Sequence, residues 1–361
     1  MAKLLHFIKF IAINVISFIV LLFIVNWVCG FFLTSAQARR HDLPNYDNDR
    51  EHATEVFKDY NSVKHEYYPF VGWKTKPYTG KTTHIDKTGA RIHTPPQNSG
   101  HTKTVRFFGG STMWGEGSDD QHTIPALFNA AFPEYKVHNH GQLAYNTRQE
   151  LDALITLYSK NDSTDIVIFY DGVNDAAFLC PKEIDELPAH RLVPMFRDKI
   201  YVGKSKLVKE AVFKAFAENI FRLIRKHSGR KRESPYNCIS DPEKAEEIAE
   251  IMMRNWELAH KIVTDRGEKF IAVLQPAAFI GNPRTDHLET DEDFKANFAA
   301  VYKRIQAKIA ERKHPWIYDL SNLFDGDEYI FIDFCHVSPN GNEKMAKAIS
   351  DIVRKENASE L

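Results

Sequence analysis

The sequence predicts an α/β fold in which helices cover both faces of a parallel β-sheet. Short apolar segments alternate with longer segments of helical character from about residue 101 onward, and this alternation is typical of parallel sheets with crossover helices. Apolar strands separated by helices are expected to be buried on both faces. The predicted strands, about five in number, are Thr104–Phe108, Lys136–His140, Asp165–Tyr170, Phe270–Leu274 and Trp316–Asp319.

Helices are predicted in the segments between and after these strands. Asp241 and Pro242 provide an N-cap and a first-turn proline for one of them. Turns at Ser111, Gly141 and Gly172 follow three of the strands, and ligands of such sheets bind at the carboxyl ends of the strands. A functional site is therefore expected where these turns meet. The predicted helices lie at about residues 123–132, 147–160, 242–266, 291–312 and 338–355.

The N-terminal region differs in composition from the rest of the chain. Residues 10–33 contain no charged side chain, and an apolar helix of about 20 residues crosses a bilayer core of about 30 Å. Residues 36–38 (Ala-Gln-Ala) resemble a signal-peptide cleavage site, but the apolar core of such peptides is usually only about 7–15 residues long. We therefore expect residues 1–9 to be a short tail and residues 10–33 to be an uncleaved signal anchor in a lipid bilayer.

The large remainder of the chain is expected outside the cytoplasm, on the periplasmic or extracellular face, with the N-terminus cytoplasmic. This orientation follows from the short tail, because the basic residues on the two sides of the span show no clear bias. Residues 34–100 are predicted to be a tether with a small β-hairpin around Lys87-Thr88-Gly89. Residues 101–361 form the main predicted domain, with a helical insertion at about 178–240.

Charge and cysteine content narrow the range of functions. The net charge of −1 gives no reason to expect a nucleic-acid partner. The chain has 4 cysteines, too few for a disulfide framework. One bridge between Cys180 and Cys238 would close the insertion in an oxidising compartment, whereas free thiols, including Cys335, are the alternative.

The residues that indicate chemistry are Ser111, Asp333 and His336. Ser111 follows Gly109 and Gly110 directly after an apolar strand, so its hydroxyl is expected at the tip of a tight turn. His336 can remove the hydroxyl proton, and Asp333 can orient the imidazole and compensate its charge. Together they predict a nucleophilic hydrolase. A histidine in a structural role and a serine that merely caps a helix are the alternatives.

The same reaction needs donors for the oxyanion that develops on the attacked carbonyl. The candidates are the backbone amide of Ser111, the side-chain amide of Asn174, and the backbone N–H groups around Gly141–Ala144. Asp175, which follows Asn174, is expected to act mainly as a helix cap.

The chain resembles the SGNH hydrolases, the GDSL esterase and lipase superfamily, over roughly residues 104–355. Gly172-Val173-Asn174-Asp175 and the Asp333…His336 pair match two sequence blocks of that family without change. The nucleophile block reads Gly109-Gly110-Ser111-Thr112, with glycine where the family often has aspartate. The remaining block usually places a glycine five residues after an asparagine. Counting from Asn139, that position is Ala144, with Gly141 as the alternative donor.

This resemblance implies a flavodoxin-like three-layer αβα fold and a membrane-anchored serine esterase that needs no cofactor. The implied substrate is a small acyl ester, with O-acetyl groups on an envelope glycan as the expected case given the predicted location. An O-acyltransferase that moves the acyl group onto a glycan hydroxyl and a non-catalytic binding or assembly protein are the alternatives. No metal is expected, because His138 and His140 share a strand face without a clear third ligand.

Overall fold

The computed structural model describes residues 2–34, 37–96, 103–160, 162–190 and 233–358. The chain divides into two compact units. One unit comprises Met1–Arg40 and Arg197–Glu233, and the other comprises His41–Phe196 and Ser234–Leu361. Most of the predicted helical insertion, residues 191–232, lies outside the described residues.

The first unit begins with a single helix, α1 (Ala2–Thr34). Apolar side chains on this helix are exposed, among them Phe10, Ile13 and Phe23. In the part of the chain that the structure describes, no helix has both the length and the apolar character needed to cross a bilayer. The membrane span expected at residues 10–33 therefore stays a prediction.

The second unit is built on a five-stranded parallel sheet, which confirms the predicted fold class. Four shorter strands form two antiparallel pairs outside this parallel sheet. The strands are β1 (His65–Tyr68), β2 (Gly72–Thr75), β3 (Tyr78–Thr79), β4 (His84–Ile85), β5 (Lys103–Gly109), β6 (Tyr135–Asn139), β7 (Ile166–Asp171), β8 (Lys269–Leu274) and β9 (Ile317–Asp319). The five strands of the parallel sheet lie side by side in the order β6-β5-β7-β8-β9, and every neighbouring pair is parallel.

Helices lie on both faces of the sheet, giving the expected three layers. The helices of this unit are α2 (Arg50–Ser62), α3 (Ser111–Trp114), α4 (Ile124–Ala131), α5 (Thr147–Tyr158), α6 (Val173–Leu179), α7 (Pro242–Asp265), α8 (Glu292–Arg312) and α9 (Pro339–Ala358). Alternate residues of a strand point to opposite faces, so Phe107 packs with Phe128 of α4, whereas Phe108 belongs to the core that contains Trp256 of α7. Asp241 caps α7 through the backbone N–H of Lys244, as the sequence predicted.

The segment before the sheet differs from the expected tether, because much of it packs on the domain. Tyr46, Ala53 and Phe57 form a small apolar cluster with Ile332. The carboxylate of Asp59, near the end of α2, accepts hydrogen bonds from the residues around β3 and β4, including Thr82 N and Oγ1. Residues 44–62 are thus part of the folded unit rather than a spacer.

The predicted hairpin is present only as a tight turn. Asp86 closes this turn by accepting hydrogen bonds from Thr88 and Ala90. Beyond the turn, however, Ile85 and Arg91 form a single antiparallel bridge, and β4 pairs with β3 instead. A second bridge joins Arg91 to Asn139 at the end of β6 and so connects this extension to the edge of the main sheet.

Candidate active site

The nucleophile turn follows β5 directly. Gly110 is the N-cap of the short helix α3, and Ser111 is the first residue of that helix. Two close contacts explain why positions 109 and 110 are glycines. A Cβ on Gly109 would overlap the side chain of Met113, and a Cβ on Gly110 would overlap the amide nitrogen of Asn174. The turn can therefore be this tight only with glycine at both positions.

The structure brings the predicted nucleophile, base and acid together. Ser111 Oγ lies 2.6 Å from His336 Nε2, and His336 Nδ1 lies 2.7 Å from Asp333 Oδ2. The other oxygen of Asp333 accepts hydrogen bonds from the backbone N–H groups of Cys335 and His336. The aspartate is thus fixed relative to the imidazole by the backbone of its own turn. Serine, histidine and aspartate form a hydrogen-bonded relay of the kind that activates a serine hydroxyl.

Glu116 is a fourth member of this cluster that the sequence analysis did not identify. Its Oε2 lies 3.0 Å from His336 Nε2, and the residue is only 4% exposed. Nε2 is therefore within hydrogen-bonding distance of both Ser111 Oγ and a buried carboxyl group. The carboxyl group of Glu116 therefore lies within ion-pairing distance of the imidazole and is attracted to it when the imidazole is protonated.

The loop that carries Glu116 is held by glycines and by a buried arginine. Gly115 and Gly117 have φ angles of +98° and +91°, which favour glycine and turn the intervening side chain back toward Ser111. Arg91 is buried, and its Nη1 donates to the carbonyl groups of Trp114 and Gly115. A glutamate between two glycines just after the serine turn was the available sequence signal.

The electrostatic surroundings favour the charged form of His336. Burial alone would lower the pKa of the imidazole, but the carboxylates of Asp333 and Glu116 outweigh it and raise the pKa well above its usual value. Burial also raises the pKa of the Cys335 thiol to about 12, which makes it a neutral, inert group at pH 7.

Asn174, the predicted side-chain donor to the oxyanion, lies beside the nucleophile turn. It lies in the first turn of α6, after Gly172 at the end of β7, with its amide nitrogen against Gly110. Nδ2 donates one hydrogen bond to the carbonyl of Tyr145 at 2.6 Å. Because an amide group carries two N–H bonds, this contact fixes the side chain and leaves the second N–H for a ligand.

The structure distinguishes between the two candidates for the backbone donor. The N–H of Gly141 donates to Oδ1 of Asn139 at 2.9 Å, so it is occupied, and the alternative donor at Gly141 is wrong for this structure. The N–H of Ala144 makes no hydrogen bond to any part of the chain that the structure describes. Ala144 has a φ of +64°, an unusual conformation for alanine that often marks functional sites.

Behind the site, Asp175 has the capping role that was expected, although it caps a different helix. Its carboxylate accepts hydrogen bonds from the N–H and hydroxyl of Thr147, the first residue of α5. Trp256 Nε1 donates to the neighbouring carboxylate of Asp171. Burial raises the pKa of Asp171 to about 6 and that of Asp175 to about 7. These acids support the loops that carry the site and do not contact Ser111.

Two groupings of potential metal ligands are already engaged by neighbouring side chains. Asp333, Cys335 and His336 have ligand atoms within 4.8 Å of one another, but His336 Nδ1 is already bound to Asp333 and the thiol is neutral. The His138 and His140 rings stack, and His140 Nε2 lies 3.1 Å from Nη1 of Arg106. An adjacent guanidinium disfavours a cation at that place.

Comparisons with known proteins identify similar solved structures. The chain is similar to a putative arylesterase from Agrobacterium tumefaciens (18% identity, TM-score 0.36), covering 70% of this chain and 99% of that one. It is also similar to a carbohydrate acetylesterase family member from Sinorhizobium meliloti, with 14% identity and a TM-score of 0.35 over 70% of this chain and 98% of that one. A third similar structure is the aryl esterase of M. smegmatis, with 14% identity and a TM-score of 0.37 over 70% of this chain and 99% of that one.

No family model and no curated protein matches the sequence. At these identities and TM-scores the similarities to solved structures carry no argument about chemistry. The functional assignment therefore depends on the residues of the site and on their geometry.

Proposed function

We propose that this chain is a membrane-anchored serine esterase of the SGNH type that hydrolyses small acyl esters, with O-acetyl groups on envelope glycans as its substrate class. The observation that carries the proposal is the hydrogen-bonded series from Ser111 Oγ to His336 Nε2 and from His336 Nδ1 to Asp333. A buried serine hydroxyl bound to an imidazole that an aspartate orients is arranged for nucleophilic attack.

The geometry supports a sequence of proton movements. Ser111 Oγ attacks the ester carbonyl while its proton passes to His336 Nε2, and Asp333 stabilises the resulting imidazolium. The oxyanion receives hydrogen bonds from the N–H of Ser111, the free N–H of Asn174 and the N–H of Ala144. His336 returns the proton to the leaving alcohol, and an acyl-serine ester remains. Water then attacks this ester by the same steps in reverse.

The experiment that tests this function is labelling of the purified chain with a fluorophosphonate probe. Ser111 should be labelled, and Ser338, another buried serine that lies close to His336 in sequence, serves as the matched control. We expect Ser111→Ala to abolish labelling and Ser338→Ala to retain it. Labelling that persists in Ser111→Ala would refute the assignment of the nucleophile.

Product analysis with an acetylated glycan and a sugar acceptor then tests the reaction type. Free acetate as the only product supports hydrolysis. Acetylated acceptor would instead identify an acyltransferase that uses the same acyl-enzyme.

The anchoring part of the proposal is supported by two features. Residues 10–33 contain no charged side chain, as a bilayer span requires. Cys180 and Cys238 form a disulfide, and disulfides persist mainly outside the cytoplasm.

N-terminal sequencing of the mature protein should begin at Met1 or Ala2, whereas a start at Arg39 would show a secreted enzyme. External protease should digest the domain on spheroplasts, and full protection would contradict the orientation.

A further inference from the structure

A second cleft in the domain contains none of the triad residues. It lies where β6, the turn around Lys87 and α5 meet, and it has a volume of about 510 Å³. Ligand pockets commonly measure about 300–1,000 Å³, so the cleft is large enough for one or two sugar rings. Gln142 and Tyr145 line it, and these residues belong to the loop that also carries Ala144.

The cleft has an excess of positive charge. Among the described residues that line it, the carboxylates are Asp86 and Asp162. Asp86 is engaged by the N–H and hydroxyl groups of its own turn, and Asp162 lies 3.6 Å from Arg106 Nη2 with about half of its side chain exposed. Against these stand five cationic side chains: Lys74, Lys87, Arg106, Lys136 and Lys160.

Most of the lysines are not neutralised within the protein. Lys74 lies 3.5 Å from Glu66. Among the described residues, Lys87, Lys136 and Lys160 have no carboxylate oxygen within 4.0 Å. Their charges can therefore act on a ligand in the cleft.

Arg106 is the strongest individual indication of an anionic ligand. Its side chain is 8% exposed, and its Nε is a buried donor without a hydrogen-bond partner. Nη1 faces the neutral acceptor His140 Nε2 at 3.1 Å. A buried guanidinium that is only partly compensated is costly, and a bound oxyanion would supply the missing negative charge.

The two histidines on β6 and just after it are partly buried beside Arg106. Burial, Arg106 and Lys136 lower the pKa of His138 to about 4. Burial and Arg106 lower the pKa of His140 well below its usual value. Both rings are therefore neutral at pH 7.

The walls of the cleft also include aromatic surface. Tyr68 and Tyr145 line it, as does Phe108, on which the His140 ring stacks with a centroid distance of 5.1 Å. Lys74 Nζ lies 5.4 Å from the centre of the Tyr68 ring. Flat rings beside cations suit a ligand with an apolar face and a charged group, and an acidic pyranose has both.

We propose that this cleft binds a sugar that carries a carboxylate or phosphate group, and so holds the acidic part of a glycan whose acyl ester reaches Ser111. The identification of the bound sugar as substrate rests on the proposed function. The link between the two sites is the loop from Gln142 to Tyr145, which lines the cleft and whose Tyr145 carbonyl holds Asn174.

Direct binding to the full-length Ser111→Ala chain tests this proposal without requiring turnover. The probes are a hexasaccharide of alternating glucuronate and N-acetylglucosamine, a pentamannose phosphate, and neutral chitohexaose. We expect one or both charged probes to bind, with affinity that falls as salt rises, and chitohexaose not to bind. The charged probe that binds more tightly identifies the preferred oxyanion.

Charge-reversal variants of the lysines test whether the charged probes bind in this cleft. Lys87→Glu combined with Lys136→Glu, both at exposed positions of the cleft, should weaken binding by at least about tenfold, because each change removes an attractive charge and adds a repulsive one. Lys347→Glu, at an exposed position of α9 outside the cleft, is the matched control and should leave binding unchanged.

Several results would overturn the proposal. The proposal is wrong if the neutral and charged probes bind equally, or if neither charged probe binds. It is also wrong if Lys347→Glu weakens binding as much as the double charge reversal does, or if the chain binds phosphatidylglycerol vesicles in place of the oligosaccharides. If fluorophosphonate labelling of Ser111 fails while the charged probe binds at the cleft, the esterase function is refuted and the acidic-sugar site is not.

Discussion

Replacing Glu116 by glutamine is expected to shift the pH dependence of ester hydrolysis to lower pH. His336 acts as a base only when Nε2 carries a lone pair. Glu116 Oε2 lies 3.0 Å from Nε2 and stabilises the imidazolium, which must lose its proton before Ser111 can transfer its own. Activity should therefore rise with pH through the raised pKa of His336. Glutamine keeps the shape of the side chain but removes its charge.

The size of the shift follows from the distance. At an effective dielectric constant of about 20, two unit charges about 3 Å apart interact by roughly 5 kcal/mol, which is an upper limit of about 4 pKa units. Opposite charges at short range usually shift a pKa by about 1–3 units. Asp333 remains in the variant and continues to raise the pKa of His336. We therefore expect the acidic limb of the profile to move down by about 1–3 pH units.

The assay is the pH dependence of kcat/KM for an aryl acetate between about pH 5 and 10. The midpoint of the acidic limb does not depend on the fraction of enzyme that folds, so partial destabilisation by the substitution does not obscure the result. Glu311→Gln, at an exposed position of α8, is the control and should keep the wild-type profile. An acidic limb that stays in place in Glu116→Gln, or moves to higher pH, would refute the reasoning.

The remaining predictions concern the triad, the oxyanion donor and a buried acid. His336→Ala should cost about as much in kcat as Ser111→Ala, on the order of 10³-fold or more, and the double variant should be little worse; additive losses would contradict a coupled pair. Asp333→Asn should be milder than His336→Ala, because the imidazole remains, and the same assay compares them. Asn174→Ala should lower kcat by roughly 10²–10³-fold with little change in KM, whereas a large KM effect would indicate ground-state binding. Burial raises the pKa of Asp171 to about 6, against 3.8 for an ordinary aspartate. Between these two pH values the native state therefore binds more protons than the unfolded state. The free energy of unfolding should fall by about 3 kcal/mol as pH rises through this window. Asp171→Asn should flatten the fall in thermal midpoint between about pH 4 and 6, and an unchanged slope would count against this.

The sheet was predictable because its signal is local and repeated. Each apolar strand is followed by a helical segment, and the observed ladders from β5 to β9 agree with the predicted strands to within a few residues. The packing of residues 44–62 was not predictable, because it depends on the contact of Tyr46 and Phe57 with Ile332 far along the chain. The apolar residues Ala53, Val56 and Phe57 do share one face of α2, but this local periodicity does not indicate which distant surface the face contacts.

The site shows the same division between local and long-range signals. Ser111, Asn174, Asp333 and His336 could be found because each lies in a short sequence block, and the blocks of Ser111 and Asn174 directly follow β5 and β7. Glu116 was missed, because a glutamate in a glycine-rich loop is usually exposed and its two flanking glycines are a weak signal on their own. Only the left-handed conformations at Gly115 and Gly117 and the contacts of Arg91 turn it inward.

Gly110 and Ala144 both contact or support the side chain of Asn174. The space that a side chain at Gly110 would occupy is taken by the amide of Asn174. That amide is held by the carbonyl of Tyr145, which directly follows Ala144 in its left-handed conformation. An aspartate at position 110 would displace Asn174, and a relaxed backbone at Ala144 would move the carbonyl that holds it. The two unusual positions are therefore coupled through Asn174, and each is expected to be sensitive to changes at the other.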